Sequence, residues 1–186
     1  MTLTKLGIIG ISGRTENDIN RLSPEHMVLM ANKIGSYIKD VIKTSPKNII
    51  LVSGGSAWAD HVAVQLFLTK KFANLELYLP TTFDVDKKKF ITTSSEGRTL
   101  NFLHNQCYKK IEIDVLDELA KAIKRGAQVC IYDGFLSRNT MIAKNVDYLV
   151  AFTFENDCPK SGGTYDTWKK VKHNNKINFN LNKIEN

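Results

Sequence analysis

The stretch Asn48-Ile49-Ile50-Leu51-Val52-Ser53 carries apolar residues at consecutive positions and runs straight into Gly54-Gly55-Ser56. A strand with one solvated face alternates apolar and polar residues. An unbroken apolar run needs cover on both faces, which is the situation of a parallel strand between two helical layers. Ala59, Val62, Ala63, Leu66 and Phe67 follow at helical spacing, completing a strand–turn–helix unit. Similar runs occur at Leu6–Ile11, Leu75–Pro80, Gln128–Tyr132 and Tyr148–Phe154. Strands alternating with helical segments in this way predict an α/β architecture: a single doubly wound domain around a mostly parallel central sheet.

Ser23-Pro24 opens the first long helix, with Ser23 at the cap and Pro24 at the first helical position. Met27, Met30, Ile34, Ile38 and Val41 carry it to Lys43. Val115, Leu116, Leu119 and Ile123 mark another helix. A short helix from Ser137 to Asn145 precedes the last strong strand, and Gly162-Gly163-Thr164 opens a helix through Trp168 and Val171. Ser12 to Leu22 reads as a polar loop. Residues 81–110 are polar and lysine-rich; they read as a long loop with a short helix, the usual form of a lid or binding insertion. Ile177 onward predicts an edge strand, so residues 1–180 form the domain and 181–186 a tail.

Composition removes several function classes. The chain has 186 residues, 42% hydrophobic and 24% charged, the usage of a soluble globular domain. No apolar run reaches the roughly 18 residues of a membrane span, and Met1 to Ile11 lacks the charged start and small-residue cleavage site of a signal peptide. Cys107, Cys130 and Cys158 are widely spaced and form no CxxC pair. That spacing argues against a disulfide framework or zinc site and for a reducing, cytoplasmic setting; no metal or other cofactor is called for. Lys plus Arg is 26 against 19 acids, a net +7, which favours anionic partners. The excess is scattered over Lys87-Lys88-Lys89, Lys109-Lys110 and Lys169 to Lys176, as solvated helix faces and tails would produce.

Three glycine turns each follow a strand: Gly10-Ile11-Ser12-Gly13-Arg14, Ser53-Gly54-Gly55-Ser56 and Ser161-Gly162-Gly163-Thr164. In an open parallel sheet such turns gather at the carboxyl ends of the strands, where ligands bind. Glycine lets backbone approach a phosphate, and the following helix offers free N–H groups and its positive end. Arg138, with Asn139 beside it, sits near the start of the short helix. A cation is poorly placed there unless it reaches an anion, which guanidinium binds by paired hydrogen bonds. The plainer reading of Arg138 is a surface residue or a link to Asp133 or Asp147. Within 81–110, Arg98 and His104 are candidate ligand contacts, His104 because a solvated histidine titrates near neutral pH. A hydrogen-bonded structural histidine is the simpler alternative. Trp58 and Trp168 could stack on a base, but core packing is the expectation for both.

Val52-Ser53-Gly54-Gly55-Ser56-Ala57-Trp58-Ala59-Asp60, Arg138-Asn139, Asp147 to Phe152, and Gly162-Gly163-Thr164-Tyr165-Asp166-Thr167-Trp168 stand in the order of the SLOG superfamily, which the chain resembles from Gly7 to about Val171. That group of Rossmann-like nucleotide-binding proteins includes the LOG cytokinin-activating phosphoribohydrolases and the DNA-processing protein A family. The chain is most similar to small stand-alone members with a GGxxGAD-type first motif and a GGTxD-type last one. The resemblance implies a phosphate and sugar pocket flanked by Ser12, Gly13 and Arg14, approached by the N–H groups of Gly54 and Gly55, and gripped by Gly162, Gly163 and Thr164. It also implies a functional arginine at Arg138 and a homodimer.

The last motif departs from the hydrolases, which read PGGxGTxxE. Thr167 stands where their glutamate falls, and Asp166 lies one position earlier. A carboxylate stabilises the sugar cation that forms as a glycosidic bond breaks, and misplacement by about 1 Å costs roughly a hundredfold in rate. The expectation is therefore a protein that binds a small nucleotide-derived ligand (a nucleoside monophosphate, an ADP-ribose-like molecule or a cyclic nucleotide signal) as a sensor or sequestering protein. The alternative is a phosphoribohydrolase cleaving the N-glycosidic bond of a nucleoside 5′-monophosphate, with Asp166 and Arg138 catalytic. A DNA-binding protein ranks third. The net charge permits it, but the chain has no series of stacking aromatics along a basic groove and no winged-helix module.

Overall fold

The computed structural model describes residues 2–182. Its central sheet has six strands, all parallel: β1 (Thr4–Gly10), β2 (Ile49–Ser53), β3 (Asn74–Leu79), β6 (Gln128–Ile131), β7 (Tyr148–Thr153) and β8 (Lys176–Asn180). A small antiparallel hairpin, β4 (Phe83–Asp84) and β5 (Lys89–Phe90), stands apart. The helices are α1 (Glu16–Arg21), α2 (Pro24–Tyr37), α3 (Ala59–Thr69), α4 (Ser95–Ile111), α5 (Val115–Lys124), α6 (Gly134–Asn145) and α7 (Gly162–Lys170). The doubly wound α/β expectation therefore holds.

The order across the sheet is β6-β3-β2-β1-β7-β8. From β1 the chain steps outward to β6, then returns across the sheet to lay β7 on the other side of β1. Leu6 pairs with Leu51 of β2 on one flank and with Tyr148 of β7 on the other. The connections leaving β1 and β7 thus diverge, and their carboxyl ends border the crevice where such sheets bind ligands.

Successive side chains of each strand point to opposite faces. Ile8, Leu51, Leu77, Val150 and Phe152 pack with α2, α3, α4 and α5. Ile9, Val52, Tyr78, Leu149 and Ala151 pack with Ile142, Ala143 and Trp168 on the α6–α7 side. This double burial is why the strands are apolar without alternation. Truncating one of the buried leucines or isoleucines to Ala costs about 2–5 kcal/mol.

Four segments differ from the sequence reading. Ser12–Leu22 is not all loop: Thr15 caps α1, its Oγ1 accepting from the Asp18 N–H at 3.1 Å. Residues 81–110 are not a long irregular lid. They form the β4–β5 hairpin and most of the 17-residue helix α4, capped by Ser94. Helix α6 starts at Gly134, so Arg138 lies in its second turn rather than near its start. The 181–186 tail begins as ordered structure. Leu181 is buried, donates its N–H to the Thr153 carbonyl at 2.8 Å and accepts from His26 Nε2 at 3.2 Å. Residues 183–186 lie outside the described residues.

Candidate functional site

A cavity of about 370 Å³ opens at the carboxyl ends of β1 and β7. Ser12 and Arg14 line it from the end of β1, with Asp18 and Arg21 of α1. Ser56 comes from the β2–α3 connection, Asp60 from the first turn of α3, and Phe135, Arg138 and Asn139 from α6. Thr153 ends β7 and Glu155 follows it, while Ser161 caps α7 and Gly162, Gly163 and Thr164 begin it. Residues from both ends of the chain meet here because β1 and β7 are neighbours.

The start of α7 is an anion-ready surface. Ser161 occupies the cap position without a side-chain capping bond, leaving first-turn N–H groups of α7 without a cap. Gly162 has φ +69°, a left-handed conformation that glycine adopts without steric cost. Thr164 Oγ1 donates to the Gly10 carbonyl at 2.9 Å, which fixes α7 against the end of β1.

Beneath this surface lies a buried ion pair. Arg138 Nη1 lies 3.7 Å from Asp60 Oδ2 and donates to the Gly54 carbonyl, while Arg138 Nε is buried with no partner. The Asp60 carboxylate accepts the backbone N–H groups of Ser56 and Gly54. Burial raises the Asp60 pKa, and the Arg138 charge opposes that rise. The same burial lowers the Arg138 pKa against the pull of Asp60. The Phe135 ring carries both arginines, with Arg14 4.8 Å and Arg138 5.5 Å from its centroid.

Trp58, which leads into α3, is fully buried with φ +59°. A tryptophan in that region is strained, and such strain concentrates at functional sites. Its indole lies under the first turn: a Cβ on Gly13 would stand 3.2 Å from Trp58 Nε1. Trp58 is core, as the sequence reading expected. Trp168 lies away from the cavity, under the Lys176 ammonium.

Of the fifteen candidate site residues, Ser12, Arg14, Asp60, Arg138, Asn139, Gly162, Gly163 and Thr164 line the cavity. The others are placed differently. Gly54 and Gly55 do not offer their N–H groups to a ligand, because Asp60 takes the first and Ser53 Oγ the second, at 3.1 Å. Ser53 shapes that turn, donating to the Asp60 carbonyl at 2.8 Å. Glycine at 54 instead admits Arg138: a Cβ there would overlap the guanidinium and the Asp60 carboxylate. Gly13 is buried behind the wall.

Asp166 is not the cavity's carboxylate. Lys170 Nζ holds it at 2.7 Å and Asn139 Nδ2 at 3.3 Å, outside the lining. Burial pushes its pKa up, but these hydrogen bonds outweigh burial and hold it below the ordinary carboxylate range. Arg98 is exposed on α4 and donates to the Thr92 carbonyl at 2.8 Å.

His104 of α4 is completely buried, bonded through Nδ1 to the Leu100 carbonyl at 2.7 Å, its ring 6.2 Å from that of His61 and 5.7 Å from that of Phe90. Burial pushes its pKa down to about 3, so it is a neutral core residue at neutral pH rather than an acid–base group. His61 in turn bonds Glu118 at 2.7 Å.

Sequence reasoning missed Asp18, Arg21, Phe135 and Glu155. The signal for the first two was present, since Thr15-Glu16-Asn17-Asp18 has the spacing of a helix start. Glu155 follows a strand end whose side-chain directions no local pattern fixes.

Among the described residues no helix is long and apolar enough to cross a membrane. No protein-family model matches the chain, and no solved structure does. Over 178 residues it is 48% identical to the uncharacterized protein R261 of Acanthamoeba polyphaga mimivirus, an alignment covering 95% of this chain and 96% of that protein. At that identity and coverage, the chain belongs to the same family as mimivirus protein R261.

Proposed function

We propose that the protein binds a small nucleotide-derived ligand at the β1–β7 crevice, in the manner of the SLOG superfamily, and acts as a sensor or sequestering protein. The observation that carries this reading is the meeting of the uncapped start of α7 with Arg14 and Arg138 in one cavity. Helix N–H groups and guanidinium together fit a phosphate. Asp18, Asp60 and Glu155 line the same space and offer acceptors for ribose hydroxyls. A cavity of this size also falls within the usual range for small-molecule sites, about 300–1,000 Å³.

Binding without turnover is favoured over hydrolysis by the position of Asp166, which Lys170 and Asn139 hold away from the cavity. The test is incubation with AMP, ADP-ribose and cyclic AMP, followed by chromatography with mass detection. The expected result is an unchanged molecule retained by the protein, with affinity falling about tenfold or more in Arg14→Ala. Arg14 is exposed, so that variant keeps the fold. Release of free base with ribose phosphate would replace this reading with the hydrolase. Unchanged affinity in Arg14→Ala would overturn the site.

A further inference from the structure

A second cavity, about 510 Å³, lies at the opposite end of the sheet from the glycine turns, beside the C-terminal ends of α2 and α3. Its floor is Ile34, Ile38, Leu66 and Phe72, and its rim carries Lys39, Lys43 and Lys70. None of the eight ion pairs among the described residues involves these lysines. Here α2 passes without a break into a π-helical turn, Ile38–Ile42, closed by a bond from the Lys43 N–H to the Ile38 carbonyl at 2.8 Å. Such turns recur at functional sites.

Gly35, on the wall of this cavity, is the second independent mark. It lies inside continuous helix, where glycine costs about 1 kcal/mol relative to alanine. No crowding within the chain requires it, because a Cβ there would meet nothing within 4 Å. Its missing side chain keeps the cleft open. Cations at helix C-termini do complement the dipole, and that accounts for Lys39 and Lys70 one at a time. It does not account for an apolar floor left open beneath them. Two helix ends contribute about −0.5 charge each, which the three lysines outweigh, so the rim is net positive over an apolar interior.

We infer that this cleft is a binding site for a fatty-acid-class amphiphile, its alkyl chain laid over Gly35 between Ile34, Ile38, Leu66 and Phe72 and its carboxylate held by Lys39, Lys43 and Lys70. The inference is independent of the nucleotide site.

The full chain titrated calorimetrically with dodecanoate below its micelle concentration tests it. Saturable one-to-one binding is expected, with dodecanol at least about tenfold weaker, since it offers no charge to the lysines. Gly35→Leu fills the cleft with a better helix former, so it should abolish dodecanoate binding while thermal stability stays equal or rises. The triple variant Lys39→Glu, Lys43→Glu, Lys70→Glu should lower affinity at least about tenfold. Absence of saturable binding overturns the site, as does equal affinity in Gly35→Leu or equal affinity for dodecanol. Binding seen only with vesicles of anionic lipid overturns it too, assigning the lysines to a membrane surface instead.

Discussion

Asp60 and His61 are adjacent in sequence and serve two opposite kinds of polar assembly. Asp60 lines the β1–β7 cavity, paired with an arginine whose Nε has no partner. His61 faces α4 and α5, where Glu118 bonds both His61 and Gln65 and the His104 ring stands beside it. The first assembly is open: it keeps donors and acceptors beside a space that a ligand can enter. The second lines no cavity of this kind: Glu118 bridges α5 to His61 and Gln65 of α3, while His61 Nδ1 and His104 Nε2 are buried without partners. Residue type does not separate a site from a structural network. Which way the group looks off its helix does.

The largest way to break this contrast is Asp60→Ala. It strands a buried guanidinium, so stability should fall by about 3–5 kcal/mol in denaturant unfolding.

Acid acts on the histidine assembly. His104 has a folded pKa near 3 against 6.5 for the free side chain. Below about pH 6.5 the unfolded chain takes up a proton that the folded chain refuses, so stability is complete above that pH and is lost as pH falls toward about 3. The loss approaches a few kcal/mol at about 1.4 kcal/mol per unit. His104→Asn can keep the bond to the Leu100 carbonyl without the titration, so its unfolding midpoint should depend less on pH across that window.

Glu118→Gln comes next, at about 1 kcal/mol, because it weakens the bonds to His61 and Gln65 without opening a cavity; ligand affinity should not move. Asp166→Ala is the smallest. Its pairs with Lys169 and Lys170 lie near the surface and are worth about 0.5 kcal/mol. Calorimetric affinity for the nucleotide ligand should stay within about twofold of the parent chain's. A loss near a hundredfold would return Asp166 to the site.

The sheet and its glycine turns were legible because a strand buried on both faces leaves an unbroken apolar run. Helix α4 was not, because its core stripe reads Leu100, Leu103, His104, Cys107. Histidine and cysteine stand where aliphatic residues would have signalled a buried face. The role of Gly54 was also hidden. Local sequence announces a glycine turn, but not that Arg138, 84 residues away, fills the space. The ion pairing of Asp166 was legible too, since Lys169 and Lys170 follow it at the spacing of helical ion pairs.

The pairing of β1 with β7 has a consequence for when the cavity between them comes into being. Once the chain through β6 has been synthesised, β1, β2, β3 and β6 can already form a four-stranded sheet. The crevice has only one wall until Tyr148–Thr153 docks beside strand residues roughly 140 positions earlier. Closing so long a loop is slow. A nascent chain halted after β6 therefore carries four strands of the sheet but only one wall of the cavity.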